Sequence, residues 1–311
     1  MSETMPDNSE PGYDTAEIEE GLEDEPEPQW PDGPNDFAGY ELLCVLRTPG
    51  GRFTATKSYR PDPTGLRTAV KAADYNSEAL FLCTLTSLEN LEQFFELLQD
   101  LSTDPGAFII RGMLADWGAV ERQHRVSKRK GFVVYRRSVK VHSADGYFSE
   151  WDRKLQMLDL DEVSLPDGMS VVSDPETCVK WAVDHLLPPE FGDVSFVYQL
   201  SSSAGLTKLE NELNVHLWFI TEQSYGYDNL RAWGRWWNAK QQQKIIDPAL
   251  FTSVQPHYTS APELLHDLID PLAGRRLGLV YRGERIVRLN MPPAEEVATE
   301  QKSRQKRATD Q

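Results

Sequence analysis

Seven short runs of branched, aromatic and leucine residues recur along the chain: YELLCVL, ALFLCTLT, AFIIRGML, GFVVYRRSV, LQMLDLDEV, VSFVYQLSS and LNVHLWFIT. Their length and makeup predict strands. Three other segments carry apolar positions at helical spacing. In the first, Leu91, Phe94, Phe95, Leu98 and Leu101 line one side, and Thr86-Ser87-Leu88-Glu89 ahead of them reads as a capping box. Pro175 to Leu187 predicts a second helix with proline in its first turn. About Asp228 to Lys244 predicts a third, with Leu230, Trp233, Trp236 and Trp237 on one side. Strand and helix patterns mix without regular alternation, which implies an α+β fold rather than a doubly wound sheet.

Both ends depart from this pattern. Residues 1–36 hold 6 of the 20 prolines and almost no aliphatic side chains. Such a segment cannot bury enough apolar surface to offset its ordering entropy, so a disordered acidic tail is expected. Charge sharpens the boundary. The formal net charge is -17 over 311 residues, but residues 1–37 contain 13 acids and no Lys or Arg. The remainder carries 36 acids against 32 bases, close to neutral. Residues 293–311 are polar with mixed charge and read as a second disordered tail, leaving residues 37–292 as one folded domain. No run of 18 uncharged apolar residues spans a bilayer, and the start has no basic and apolar leader. The three cysteines, Cys44, Cys83 and Cys178, form no CxxC pair, so neither a zinc site nor a disulfide framework is expected. A cytoplasmic protein without a membrane partner is the expectation.

Five features could carry chemistry. In KLQMLDLDEV, Asp159 and Asp161 fall on one face of the predicted strand, with Leu158 and Leu160 on the other. Two carboxylates that close repel unless a hard cation such as Mg²⁺ sits between them; a solvated strand end is the plain alternative. SSSAG, Ser201 to Gly205, follows an apolar strand and could form an anion-binding nest, or an ordinary turn. His216 interrupts a strong strand pattern and shares a face with Asn214 and Trp218; it reads as a ligand-facing or a core histidine. Asp247 follows an Ile pair and precedes Pro248, either a third acid at an element end or a turn former. Finally, Arg122, Arg125, Lys128, Arg129, Lys130, Arg136, Arg137 and Lys140 make a local +8 with no acid among them. That is an electrostatic footprint for phosphate backbones, or a solvated hairpin. The tryptophans of the third helix read either as core or as base-stacking faces.

The order of these features resembles the archaeo-eukaryotic primase superfamily, and within it the primase-polymerases of plasmids, prophages and phages. A strand-borne DxD matches Asp159 and Asp161, a phosphate-holding Ser and His match Ser203 and His216, and a single acid after an apolar pair matches Asp247. IDPALFTSVQPHYTSAP and DPLAGRR, Asp270 to Arg276, look like the mobile-element branch, so the resemblance covers roughly residues 38–290. Asn214 stands two residues before His216, where many relatives have the serine, and Ser203 lies thirteen before it. The resemblance implies an RRM-like palm joined to an N-terminal α/β portion, and a metal-dependent DNA primase or polymerase. Two Mg²⁺ or Mn²⁺ ions would be held by Asp159, Asp161 and Asp247, and nucleoside triphosphate by His216 and Ser203. Single-stranded DNA template would lie on the basic segment, and a replicative helicase encoded separately is a further expected partner. A non-catalytic replication initiator on the same fold and a metal-dependent sugar-nucleotide transferase are the alternatives.

Overall fold

The computed structural model describes residues 36, 41–48, 54–75, 80–114, 132–135 and 148–298. The acidic tail up to residue 35, the charged residues of the basic segment (Arg122, Arg125, Lys128, Arg129, Lys130, Arg136, Arg137 and Lys140) and the last residues lie outside these. The architecture is mixed α+β, dominated by sheets.

The first sheet is antiparallel throughout. Its centre is β1 (Glu41–Arg47), flanked by β4 (Leu80–Leu88) and β5 (Ala107–Ile110); β7 (Phe132–Tyr135) and β12 (Pro256–Tyr258) close the edges. The second sheet places β10 (Phe196–Leu200) and β11 (Glu212–Tyr225) at its centre. β9 (Arg153–Ser164) lies on one flank and β14 (Leu277–Val280) on the other. These four strands are antiparallel, and β15 (Ile286–Val287) joins β11 in parallel beyond the end of β10. A small third sheet contains β2 (Ser58–Pro61), β3 (Ala69–Ala73) and β13 (Glu263–Leu264). The predicted run AFIIRGML breaks after Ile110, and its end forms β6 (Met113–Leu114), which pairs with β8 (Phe148–Ser149).

Helix α1 (Leu91–Ser102) packs between the two large sheets. Its start is not the expected Thr86 to Glu89 box, because β4 continues through Leu88 to stay paired with β1. Asn90 caps the helix instead, its side chain accepting from the Gln93 N–H at 2.9 Å, while Gln93 reaches back to the Glu89 N–H at 2.7 Å. The Asn90–Gln93 pair thus takes the place of the expected Thr86–Glu89 box. Leu91, Phe94, Leu98 and Leu101 are buried as expected, with Leu97 in place of Phe95. Phe94 lies fully buried with its ring centroid 4.7 Å from that of Trp218, so truncating it to alanine should cost about 3–5 kcal/mol.

Helices α2 (Pro175–Leu186) and α3 (Tyr227–Gln241) cover the opposite face of the second sheet. Trp233 is fully buried there, while Trp236 and Trp237 pack against the same cluster partly exposed. α3 stops three residues short of Lys244 because Gln242 adopts the left-handed conformation that ends helices.

Two ion pairs, one buried and one partly buried, join distant parts of the chain. Arg153 at the start of β9 donates to Glu41 of β1 at 2.8 Å, with side chains 1% and 8% exposed. Asp36 is buried and pairs with Arg285, which also holds Glu92. The folded body therefore takes in Asp36. Residues 294–298 form a short helical turn at the other end. Among the described residues no helix is long and apolar enough to cross a membrane.

Candidate functional site

Alternation along β9 sets the site. Leu158 and Leu160 point into the core under α2 and α3, while Leu155 and Met157 face α1 and the first sheet. Asp159 and Asp161 continue the second face, as the two-residue period requires. On β11 the same face carries His216, directly opposite Asp159, and β10 sets Gln199 opposite His216. Asp159, His216 and Gln199 thus form one polar row across three strands. They open onto a cleft of about 540 Å³ that Lys57, Tyr75 and Tyr258 also line.

A β-bulge lies beside this row. The β9–β11 register shifts between Leu213 and Val215, Glu162 adopts a positive φ of 56°, and its N–H donates to the Asn214 side-chain oxygen at 3.0 Å. Bulges next to a site re-aim a side chain, and this one follows Asp161 immediately. Asn214 also answers how SSSAG approaches the histidine. The Ser201 N–H donates to the Asn214 carbonyl at 2.9 Å, so the turn after β10 folds back beside His216 despite the sequence gap. Ser201, Ser202 and Ser203 all line the cleft, with the hydroxyls of Ser201 and Ser203 at 2.9 Å.

The turn is held from behind. Gly205 has φ of +68°, which a side chain would strain, and a Cβ there would meet Pro271 and Leu272 at 3.1 and 3.2 Å. Arg276 donates to the carbonyls of Ser201 and Ala204 at 2.8 and 3.0 Å. A two-pronged pair with Asp270, 2.6 and 2.8 Å, fixes that guanidinium. The DPLAGRR segment is thus the buttress of the serine turn.

Electrostatics separate the groups. Burial first, then the charges of Asp161 and Asp247, push the Asp159 carboxyl up to about 8. Burial also raises Asp161, against the pull of Lys208 and Lys244. Burial, followed by the charge of Lys57, pushes His216 down to about 4, so the ring is neutral at pH 7. Its Nε2 lies 3.6 Å from the Asp159 carboxylate, too far for a hydrogen bond, and its Nδ1 is buried with no partner among the described residues.

Asp247 is near enough to act on Asp159, but its carboxylate is engaged. It caps a 3₁₀ turn by accepting from the Ala249 N–H at 2.9 Å and accepts from Lys244 at 3.1 Å. Among the described residues no group of three or more His, Cys, Asp or Glu is arranged to hold a metal ion. The donor chemistry fits a hard divalent ion at Asp159 and Asp161, two oxygen ligands that no Lys or Arg holds in an ion pair among the described residues; Asp247 would have to release Lys244 to join them.

The sequence therefore brings Asp159, Asp161, His216 and Ser203 to one cleft and leaves Asp247 at its margin. The basic segment lies outside the described residues. Sequence reading missed Gln199, Lys57, Tyr75 and Lys208. A polar residue inside the apolar strand FVYQL was a usable signal for Gln199. Lys57 and Tyr75 reach the cleft through a separate sheet about 100 residues away in sequence, and nothing local marks them. No family model, no curated protein and no solved structure matches this chain.

Proposed function

We propose that the chain is a DNA-directed nucleotidyltransferase, a primase or primase-polymerase of the archaeo-eukaryotic kind, joining nucleotides on a single-stranded DNA template in mobile-element replication. The observation that carries this reading is the row formed by Asp159 and His216 on paired strands, with Asp161 and the serine turn in the same cleft. Those residues are far apart in sequence and serve no evident packing purpose, since raising a carboxyl to about 8 makes Asp159 costly to bury.

Setting aside two 3₁₀ turns and the short strands β12 and β13, which lie between α3 and β14 and pair in the other two sheets, β9–α2–β10–β11–α3–β14 follows the strand–helix–strand–strand–helix–strand order of a split βαβ unit, which supports a palm of the RRM type. One departure stands: β14 lies beside the second strand of that unit, β10, where an RRM places its last strand beside the first.

In this reading Asp159 and Asp161 hold Mg²⁺ or Mn²⁺. Such an ion lowers the pKa of an attacking hydroxyl and neutralises charge on the phosphates. Neutral His216 donates a hydrogen bond to a phosphate oxygen without adding charge, and the buttressed serine turn offers hydroxyls to the same group. Template phosphates are assigned to the basic segment from Arg122 to Lys140, and the protein acts in the cytoplasm, beside a separately encoded helicase.

The test is incorporation of labelled dNTP on single-stranded DNA with Mg²⁺ or Mn²⁺. The parent should extend, and Asp159→Asn and Asp161→Asn should lose activity by orders of magnitude. Activity within tenfold of the parent in either variant overturns the assignment. The engagement of Asp247 by Lys244 favours one second reading, a non-catalytic initiator that keeps the fold. It would bind the same DNA and incorporate nothing.

A further inference from the structure

Three lysines line the cleft, and their partners differ. Lys208 pairs with Glu162 at 2.9 Å and Glu212 at 2.7 Å, and Lys244 pairs with Asp247 at 3.1 Å. Lys57 has no carboxylate within ion-pair distance among the described residues. Asp74, the acid whose charge balance it touches, is taken up by Lys71. Instead the Lys57 ammonium sits 4.8 Å from the centroid of the Tyr75 ring, which is stacked on Tyr258 at 3.7 Å with 7° between planes. A cation over an aromatic face is attracted to it but keeps its hydrogen-bonding protons free.

The backbone that carries Lys57 is fixed. The Thr56 hydroxyl donates to the Ala261 carbonyl at 2.7 Å, and the Lys57 carbonyl accepts from the Glu263 N–H at 3.0 Å. The side chain starts from a rigid base and ends on a rigid ring, so little conformational freedom remains to be lost on binding.

The cleft therefore combines Asp159, Asp161 and His216 with one lysine that has no carboxylate in ion-pair contact among the described residues. The charge of Lys57 reaches His216. A ligand that matches this set carries a cation for the carboxylates and uncompensated phosphate oxygens for the lysine, as a metal-bound triphosphate does. A DNA backbone needs a track of several cations, whereas the described cleft offers one unpaired lysine in a volume suited to a single nucleotide.

We propose that Lys57 receives the outer phosphates of the incoming nucleoside triphosphate, with the Tyr75–Tyr258 stack as its support. This rests on the nucleotidyltransferase reading and adds to it a residue on a separate sheet.

The experiment uses the full chain carrying Lys57→Met or Lys57→Arg, and three measurements: binding of a dNTP with Mn²⁺ in the absence of DNA, binding of single-stranded oligonucleotide, and steady-state incorporation. Lys57→Met should weaken dNTP binding about tenfold, the loss of one charge-assisted contact at a partly exposed site. It should raise KM more than it lowers kcat, and leave oligonucleotide affinity unchanged. Lys57→Arg should restore most of the binding, and inorganic tripolyphosphate should compete with dNTP on the parent and less well on Lys57→Met. Unchanged dNTP binding in a folded Lys57→Met overturns the proposal, and so does a loss confined to the oligonucleotide, which would give Lys57 to the template. If the parent itself binds no dNTP, the enzyme reading falls first. If the parent binds and incorporates while Lys57→Met matches it, only the role of Lys57 falls.

Discussion

Replacing Asp159 by asparagine should stabilise the metal-free fold and remove its response to divalent ions. In the fold this carboxyl is pushed from 3.8 up to about 8, by burial first and then by Asp161 and Asp247. The unfolded chain releases the proton near pH 4 and the folded chain holds it to about pH 8. Stability is therefore full below pH 4, is lost as pH rises between those values, and is level above. At about 1.4 kcal/mol per unit, the ceiling of that loss at neutral pH is about 4 kcal/mol. The side chain is 14% exposed, so water takes back part of it. Asparagine keeps the shape without the charge but leaves an amide short of partners, at about 1–3 kcal/mol. The net gain should be about 2 kcal/mol near neutrality, or about 4–8 °C in Tm for a body of this size. Thermal melts in chelator between about pH 5 and pH 8.5 should show the gap between variant and parent widening with pH. Saturating Mn²⁺ should raise the Tm of the parent, more at high pH because the ion must displace the proton, and should leave the variant unmoved. A variant less stable than the parent at about pH 8 in chelator, or a gap independent of pH, would refute the reasoning.

Three further outcomes are expected. His216→Gln should raise KM for the nucleotide about tenfold with a smaller fall in kcat, since phosphate binding acts in ground and transition states alike; a kcat effect alone would give the ring a different role. Asp270→Asn, which loosens the fork on Arg276, should cost about 1–2 kcal/mol in denaturant melts, and raise KM in the same direction as a Ser203→Ala change. An unchanged KM would detach the buttress from the site. His257 is buried with its pKa pushed down to about 3, by burial and then by nearby His216, Arg111 and Arg153. It is neutral when folded and protonates on unfolding below about pH 6.5, so stability should fall by up to about 2 kcal/mol on going from pH 6.5 to pH 5. Asp159 contributes with the opposite sign in that window, so the slope is best read in the Asp159→Asn background, where His257→Phe should flatten part of it.

Much of the fold was legible because burial leaves a period in the sequence. The strands around Cys44, Ile109, Leu158, Tyr198 and Leu217 fall where branched and aromatic runs lie, and α2 matches its expected limits within a residue. The misses are local contests that long-range pairing decided. Thr86 and Ser87 look like a helix start, yet they sit in β4 because seven consecutive pairs with β1 outweigh one capping interaction. Arg111 and Gly112 look like strand interior, yet the chain turns there. Arg111 leaves the strand pattern to donate to Gln156 of β9 at 2.5 Å, and a Cβ on residue 112 would meet Ser253 and Ser149 at 3.0 Å. Neither constraint is visible from the neighbouring residues.

The candidate site divides along the same line. Asp159 and Asp161 were readable because alternation fixes the face of every residue on a strand, and His216 because a polar ring in an apolar run needs a reason. Their meeting was not readable, since it depends on register: one residue of slip in β9 against β11 would turn both acids under α2 and α3 and close the site. What prevents the slip is also what places the serine turn. The bulge at Glu162 absorbs one residue, Asn214 accepts from the Glu162 N–H with its side chain and from the Ser201 N–H with its carbonyl, and Asp161, His216 and SSSAG take their positions from that one asparagine. The residue that stands where the resemblance expects a serine is, in the fold, the one that brings a distant serine turn beside His216.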